Sequence, residues 1–402
     1  MTTPIPIDVA VVGGGPAGAA AALTLLQRGR DVRLFDEVPR DPVGETLVPG
    51  VGQLLAELGL DELLQQHQPS PGSEALWGSA TPHHLPFFVH ARGPGWHLDR
   101  ARFDAALRAP LGDAWVPCAV RVRDGFVRCD DGVFAPRFMI DASGRQRVVG
   151  RAHGVERVRY DRTVARYRRF SGGRTDHTTR VEAAADGWWY AATVPTGDLL
   201  VAQFSDDDTG WQMPPGIADR VGDATQTAAW SRPAWVETPT EVAGADWLLA
   251  GDAALASDPL ASLGIARGLE TGISAAQAAD AVLDGDDGAP ERYAQAVRAL
   301  QVAHLEDRQQ VYQQEMRFAD RPFWRHRHQR VDLDPAQWLE RAGPTHRGLY
   351  LPPSELAVLA DGGPRPAAEF VHAFVTRMHR PDRLAVLALQ SLTDTGALVA
   401  AA

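Results

Sequence analysis

Lysine is missing altogether from this 402-residue chain, so all 40 of its basic residues are arginine. Against 51 acidic residues they leave a formal charge of −11. No basic run interrupts that acidic balance, which argues against nucleic acid and against an anionic membrane surface as partners. Cysteine is scarce: Cys118 and Cys129 alone exclude a disulfide scaffold and any four-thiolate metal centre. They flank an Asp-Gly turn and read as two half-buried residues on neighbouring strands, and no metal is expected. The N-terminal residues lack the basic segment of a secretory signal. The one long apolar stretch, Val9 to Leu26, is broken by three consecutive glycines and Pro16, too interrupted for a membrane span. The expectation is a cytoplasmic protein. What remains, 45% hydrophobic and 23% charged, is an ordinary globular composition with length for two or three domains.

The glycines themselves carry a motif. Ile7-Asp8-Val9-Ala10-Val11-Val12 reads as a short buried strand, followed by Gly13-Gly14-Gly15-Pro16-Ala17-Gly18 and an alanine-rich helix from Ala19 to Gln27. Gly13, Gly15 and Gly18 stand at G-x-G-x-x-G spacing. One glycine makes the turn, one lets the backbone approach a pyrophosphate, and one packs helix against strand, while the helix start at Pro16 and Ala17 offers free N–H groups to phosphate. A second strand, Asp31 to Phe35, ends at Asp36, 23 positions after Gly13, where a carboxylate accepts from ribose hydroxyls. Strand, turn, helix and acid together predict a bound dinucleotide.

Trp247-Leu248-Leu249-Ala250-Gly251-Asp252 is an apolar strand ending in Gly-Asp, followed by Asp258-Pro259-Leu260-Ala261-Ser262-Leu263-Gly264-Ile265 and a helix to about Leu283. This resembles the second flavin motif of the FAD-dependent aromatic hydroxylases. The resemblance implies FAD, with Gly251 and Asp252 at the ribityl chain, and Pro259, Gly264 and Ile265 around the flavin ring. A helix start there stabilises negative charge on the reduced ring. Ile140-Asp141-Ala142-Ser143-Gly144-Arg145 is similar to a strand-end segment of the same flavoproteins, which implies cofactor contacts at Asp141 and Gly144. Asp99-Arg100-Ala101-Arg102-Phe103-Asp104 resembles their Arg-x-x-Phe-Asp helix, with Arg100 or Arg102 toward phosphate or flavin, or else simply solvated.

Val43-Gly44-Glu45-Thr46-Leu47-Val48-Pro49 resembles the loop that lies against the flavin in the halogenase-like branch, which brings in Glu45. Asp186-Gly187-Trp188-Trp189-Tyr190 takes the place of that branch's Trp-rich motif without its halogenase form. The pattern is most similar to monooxygenase-like flavoproteins that mature tryptophan-derived quinone cofactors. Halogenases use a lysine beside the substrate, and this chain has none; arginine stays protonated and does not form the same amine adduct.

The expected architecture is α/β: a Rossmann-like FAD-binding domain in three pieces (1–80, 97–155, 240–285), an inserted antiparallel β-sheet substrate domain (81–96 and 156–239), and a C-terminal helical region (286–402). Catalytic candidates are His83 and His84, in a loop able to cover the site, and Trp188, Trp189 and Tyr190, each also readable as core. His326 and His328 read as a solvated basic segment. The resemblance implies hydroxylation of an electron-rich ring, through a C4a-hydroperoxide of the reduced flavin, in a peptide, a protein or an aromatic small molecule. No second G-x-G-x-x-G exists, so NAD(P)H docks transiently or a separate reductase partner supplies electrons. The alternatives are a reductase of the geranylgeranyl-reductase type and a peptide-binding maturation flavoprotein.

Overall fold

The computed structural model describes residues 3–37, 45–87, 94–174 and 176–401. β1 (Ile5–Val12) leads through the glycine turn into α1 (Pro16–Gln27) and returns as β2 (Val32–Phe35). Ile7, Val9, Val11 and Val12 are buried because β1 is sandwiched in the sheet, parallel both to β2 and to Gly132–Asp141. The first sheet runs 115–116, 32–35, 5–12, 132–141, 126–129, 121–123, with Trp247–Leu249 also paired to 132–141. Two chain segments far apart in sequence, the glycine turn and Gly251-Asp252, thereby reach the same end of one sheet.

Asp124 and Gly125, both at positive φ (+53° and +77°), make the hairpin that the Asp-Gly pair announced. Cys129 closes the strand Phe126–Cys129, but Cys118 lies in the connection before Arg121–Arg123, so only one cysteine is on a strand.

The second sheet has the order 225–233, 164–171, 199–205, 187–193, 179–184, 72–76, 83–86. Gly72–Leu76, within the 1–80 piece expected at the cofactor, belongs to this sheet and pairs parallel to Thr179–Ala184. Period-two alternation puts Trp188 on one face with Phe204 and Tyr312, and Trp189 on the other with Trp211. Trp188 stacks on Phe204 at 3.7 Å between centroids; truncating so buried a tryptophan costs about 3–5 kcal/mol.

Beyond residue 286 come Ala289–Gln313, Pro322–Arg327 and a unit with its own core around Phe370, Phe374 and Leu389. The helices Ala367–Met378 and Asp382–Asp394 form as their apolar spacing requires. The expected C-terminal helical region also contains a three-stranded sheet, 365–366, 338–341 and 398–400. Its strands are two to four residues long, too short to show a period. Among the described residues no helix is long and apolar enough to cross a membrane.

Candidate functional site

The glycine turn has the steric logic of a phosphate cradle. Gly13 sits at φ +105°, and a Cβ there would lie 2.3 Å from the Ala142 carbonyl; one on Gly18 would lie 1.8 Å from the Gly13 carbonyl. The neighbouring Gly14 makes room for Asp36, whose carboxylate a Cβ would meet at 2.6 Å. Gly15 faces open space, and α1 begins with no side-chain cap and no acidic residue in its first turn. Its amides are thus presented to an anion. Ala17 is buried against the second motif: a Cβ on Gly251 would stand 2.8 Å from its methyl, and one on Gly272 2.2 Å from its carbonyl. Gly144 adjoins Asp252, and Asp252 is exposed. Helix Gly264–Leu283 likewise starts without a side-chain cap or an acidic residue, with open space before Gly264; Ile265 is buried behind it. Two bare helix starts, an acid and a second acid gathered at one sheet end fit a dinucleotide carrying a flavin.

Some expected contacts fall elsewhere. Asp141 is fully buried: one carboxylate oxygen accepts from Ser143 N–H (3.0 Å) and Oγ (2.6 Å), the other from Val149 and Gly150 N–H (2.8 and 2.9 Å). It holds the start of helix Val148–Ala152 rather than a cofactor, and burial pushes its carboxyl up despite those donors. Arg100 bonds Asp104 at 2.9 Å; Arg102 is exposed. Val43 and Gly44 lie outside the described residues, and the Glu45 backbone pairs with Leu98. Arg108, which nothing in the sequence marked, donates to the Gly14 carbonyl at 3.2 Å.

The catalytic candidates separate in the same way. His83 and His84 are on an exposed edge strand, His83–Pro86, not in a covering loop. Trp188 and Trp189 are core, 1% and 2% exposed. Tyr190 stays half-buried on the Trp188 face, in a cluster that also holds Trp77, Tyr167 and Leu260. Leu260 belongs to the Asp-Pro-Leu turn that precedes helix Gly264–Leu283.

Behind Tyr190 stands a buried group the sequence reading passed over. The Thr46 hydroxyl lies 2.9 Å from Tyr190 OH, 2.7 Å from Thr179 Oγ1 and 3.2 Å from His97 Nδ1. His97 Nε2 is 2.8 Å from the His177 carbonyl, which only accepts, so Nε2 carries the hydrogen. Burial keeps His97 below the usual imidazole range, hence neutral, and Nδ1 accepts. Thr46 therefore donates to His97, and the hydroxyls of Thr179 and Tyr190 donate to Thr46. The direction Tyr190 to Thr46 to His97 follows from the neutral imidazole and the single hydrogen of each hydroxyl.

Under the Asp258-Pro259-Leu260 turn the network is ionic. Asp258 Oδ2 accepts from Arg308 Nε (2.8 Å) and Tyr312 OH (3.1 Å), and Asp258 N–H donates to His304 Nε2 (3.0 Å). Tyr312 OH takes the Trp188 indole N–H at 3.0 Å. Arg308 continues to Asp161 (2.6 Å), while Arg327 holds Asp206 (2.7 Å). Burial pushes Asp161 up, yet Arg308 and Arg327 outweigh it and bring it to about 2. The 324–328 segment expected in solvent is thus partly internal: Arg327 is 2% exposed, and His326 meets the Tyr160 carbonyl. A cavity of about 520 Å³ opens nearby between Asp206, Phe323, His326, Tyr350 and Leu387, and none of the expected site residues lines it.

Comparison with known proteins points to FAD as the cofactor. Residues 6–187 match the FAD binding domain family. The chain is 29% identical over 80% of its length, and 96% of the relative's, to the putative FAD-dependent oxidoreductase LodB of Marinomonas mediterranea. It is 27% identical, over 71% of its length and 80% of the relative's, to a 1H-pyrrole-2-carbonyl-[peptidyl-carrier protein] brominase of Pseudoalteromonas luteoviolacea. Among solved structures, the peptidyl tryptophan dihydroxylase QhpG superposes with a TM-score of 0.66 at 27% identity, covering 84% of this chain and 83% of that one. The myxobacterial chondrochloren halogenase CndH superposes at 0.72 and 25% identity, covering 81% and 86%.

Proposed function

We propose that this chain, an FAD-dependent oxidoreductase with hydroxylase and halogenase relatives, hydroxylates an electron-rich aromatic ring. The ring is a Trp or Tyr side chain of a peptide or protein, or an aromatic metabolite. The observation that carries this reading is the half-buried aromatic face of Tyr190, Tyr167 and Trp77, clustered with Leu260 of the Asp-Pro-Leu turn, in a chain without lysine. Likeness to a peptidyl tryptophan dihydroxylase supports a peptide-borne ring.

Bound FAD, once reduced by NAD(P)H or a reductase partner, supplies the oxygen-activating chemistry. The protein's own residues bind, shield and move protons. Gly15 and the first amides of α1 would hold the pyrophosphate, Asp36 the ribose, and Asp252 the ribityl chain. The N–H groups at Gly264 and Ile265 would stabilise negative charge on a reduced flavin held there. Trp188 and Phe204 close the wall behind the substrate and keep water out. When the substituted carbon loses its hydrogen, Tyr190 accepts that proton as its own passes to Thr46 and on to His97 Nδ1, which starts empty.

The test is reduced holoprotein mixed with isotopically labelled oxygen and a Trp-containing peptide, with free tryptophan in parallel and bromide present. Labelled oxygen on the indole ring is the expected product. A brominated ring would replace this reading by halogenation. Flavin reoxidation with no oxygen in either probe would favour a reductase.

A further inference from the structure

The chain's two cysteines, separated by a whole hairpin in sequence, come together. Cys129 ends its strand opposite Gly132, and the Asp130-Asp131 turn joins the two. Cys118 arrives from the connection after Trp115–Val116, its N–H bonded to the Val116 carbonyl at 2.9 Å. Both are free, half-buried thiols, and they hydrogen-bond each other. The two sulfurs and a carboxylate oxygen of Asp131 all lie within 4.8 Å of one another. Two thiolates at about 2.3 Å and a carboxylate oxygen at about 2.1 Å from a tetrahedral Zn²⁺ stand roughly 3.4–3.8 Å apart. The three groups need to close by only about 1 Å.

The electrostatics of this corner favour a cation. Among the described residues neither Asp130 nor Asp131 has an arginine partner, in a protein with 40 arginines. We propose that Cys118, Cys129 and Asp131 form a site for a thiophilic divalent cation, Zn²⁺, with its fourth position open to water. Binding releases the two thiol protons and forms two Zn–S bonds and one Zn–O bond. The metal clips the connection leaving Trp115–Val116 to the Cys129–Gly132 hairpin. Because the Val116 carbonyl also accepts the Asp36 N–H (3.2 Å), the clip stiffens one support of the cofactor acid. This site stands apart from the proposed hydroxylation and survives its failure.

The test uses chelator-treated, reduced holoprotein titrated with ZnCl₂ by calorimetry, with iodoacetamide labelling in parallel. Since the chain has 2 cysteines, every alkylated thiol reports on this site. One Zn²⁺ per chain is expected, with alkylation slowed at least about tenfold. Cys118→Ser and Cys129→Ser should each remove the protection of the remaining thiol, and Asp131→Asn should weaken binding about tenfold or more. Asp131 is exposed, so that variant keeps the test open should a serine variant fold poorly. Cobalt substitution should give a sulfur-to-metal charge-transfer band. Alkylation indifferent to Zn²⁺ would overturn the proposal, as would Zn²⁺ stoichiometry undiminished in the serine variants. So would formation of a Cys118–Cys129 disulfide under mild peroxide in protein that Zn²⁺ does not protect.

Discussion

Two buried polar networks flank the Trp188 face, and they are built of opposite materials. Asp258, Arg308, Asp161, Arg327 and Asp206 form a chain of full charges beneath the Asp258-Pro259-Leu260 turn. Tyr190, Thr46, Thr179 and His97 form a chain of neutral hydroxyls ending on a neutral imidazole. Charged pairs with saturated oxygens fix geometry, because moving a proton would leave an unpaired buried charge. A neutral chain ends on one unprotonated nitrogen, Nδ1 of His97, so a proton entering at Tyr190 comes to rest there as an imidazolium whose other N–H is held by the His177 carbonyl. The first network holds the turn in place; the second carries the chemistry proposed above.

The contrast breaks most visibly at Asp258. Asp258→Ala leaves the Arg308 guanidinium held by Asp161 alone and should cost about 3 kcal/mol, with loss of bound FAD, read by denaturant unfolding and flavin content. A pH titration of stability sharpens the same point. Burial, then the charge of Arg267, hold His304 at about 4 against an ordinary 6.5. The unfolded chain therefore takes up that proton first, and stability complete above pH 6.5 should fall as pH drops toward 4, by on the order of 3 kcal/mol. His304→Gln should flatten that slope. Asp161, at about 2 against 3.8, adds a second loss only below about pH 4.

In the neutral network the sign of the experiment changes. Thr46→Val should lower hydroxylation about 10²-fold while costing only about 1–3 kcal/mol for the unfilled His97 acceptor. Thr46→Ser should restore both, measured as turnover and melting temperature with FAD content held equal. The smallest effect belongs to His84→Ala on the exposed edge strand, expected within about 0.5 kcal/mol and without change in turnover.

The glycine turn was legible because its geometry is dictated by backbone at short range. Gly13, Gly15 and Gly18 are required at fixed spacing by turn and close approach, so they remain visible in any single sequence. Asp141 misled because a strand-end acid looks alike whether it faces a ligand or caps a neighbouring helix. Trp188 and Trp189 drew attention by type, yet alternation across a doubly covered sheet put both in core. Thr46, His97 and Thr179 carry no local signal: 51 residues separate the first two.

The sequence by itself determined a dinucleotide-binding βαβ start, a second Gly-Asp motif, a sheet between them and the absence of any lysine chemistry. These are matters of residue type and local backbone need. Tertiary structure alone decided which tryptophan faces core, which histidine is neutral and where its hydrogen sits, and that Cys118 and Cys129 meet. Burial, long-range pairing and hydrogen-bond direction are properties of the packed chain, and no stretch of it contains them.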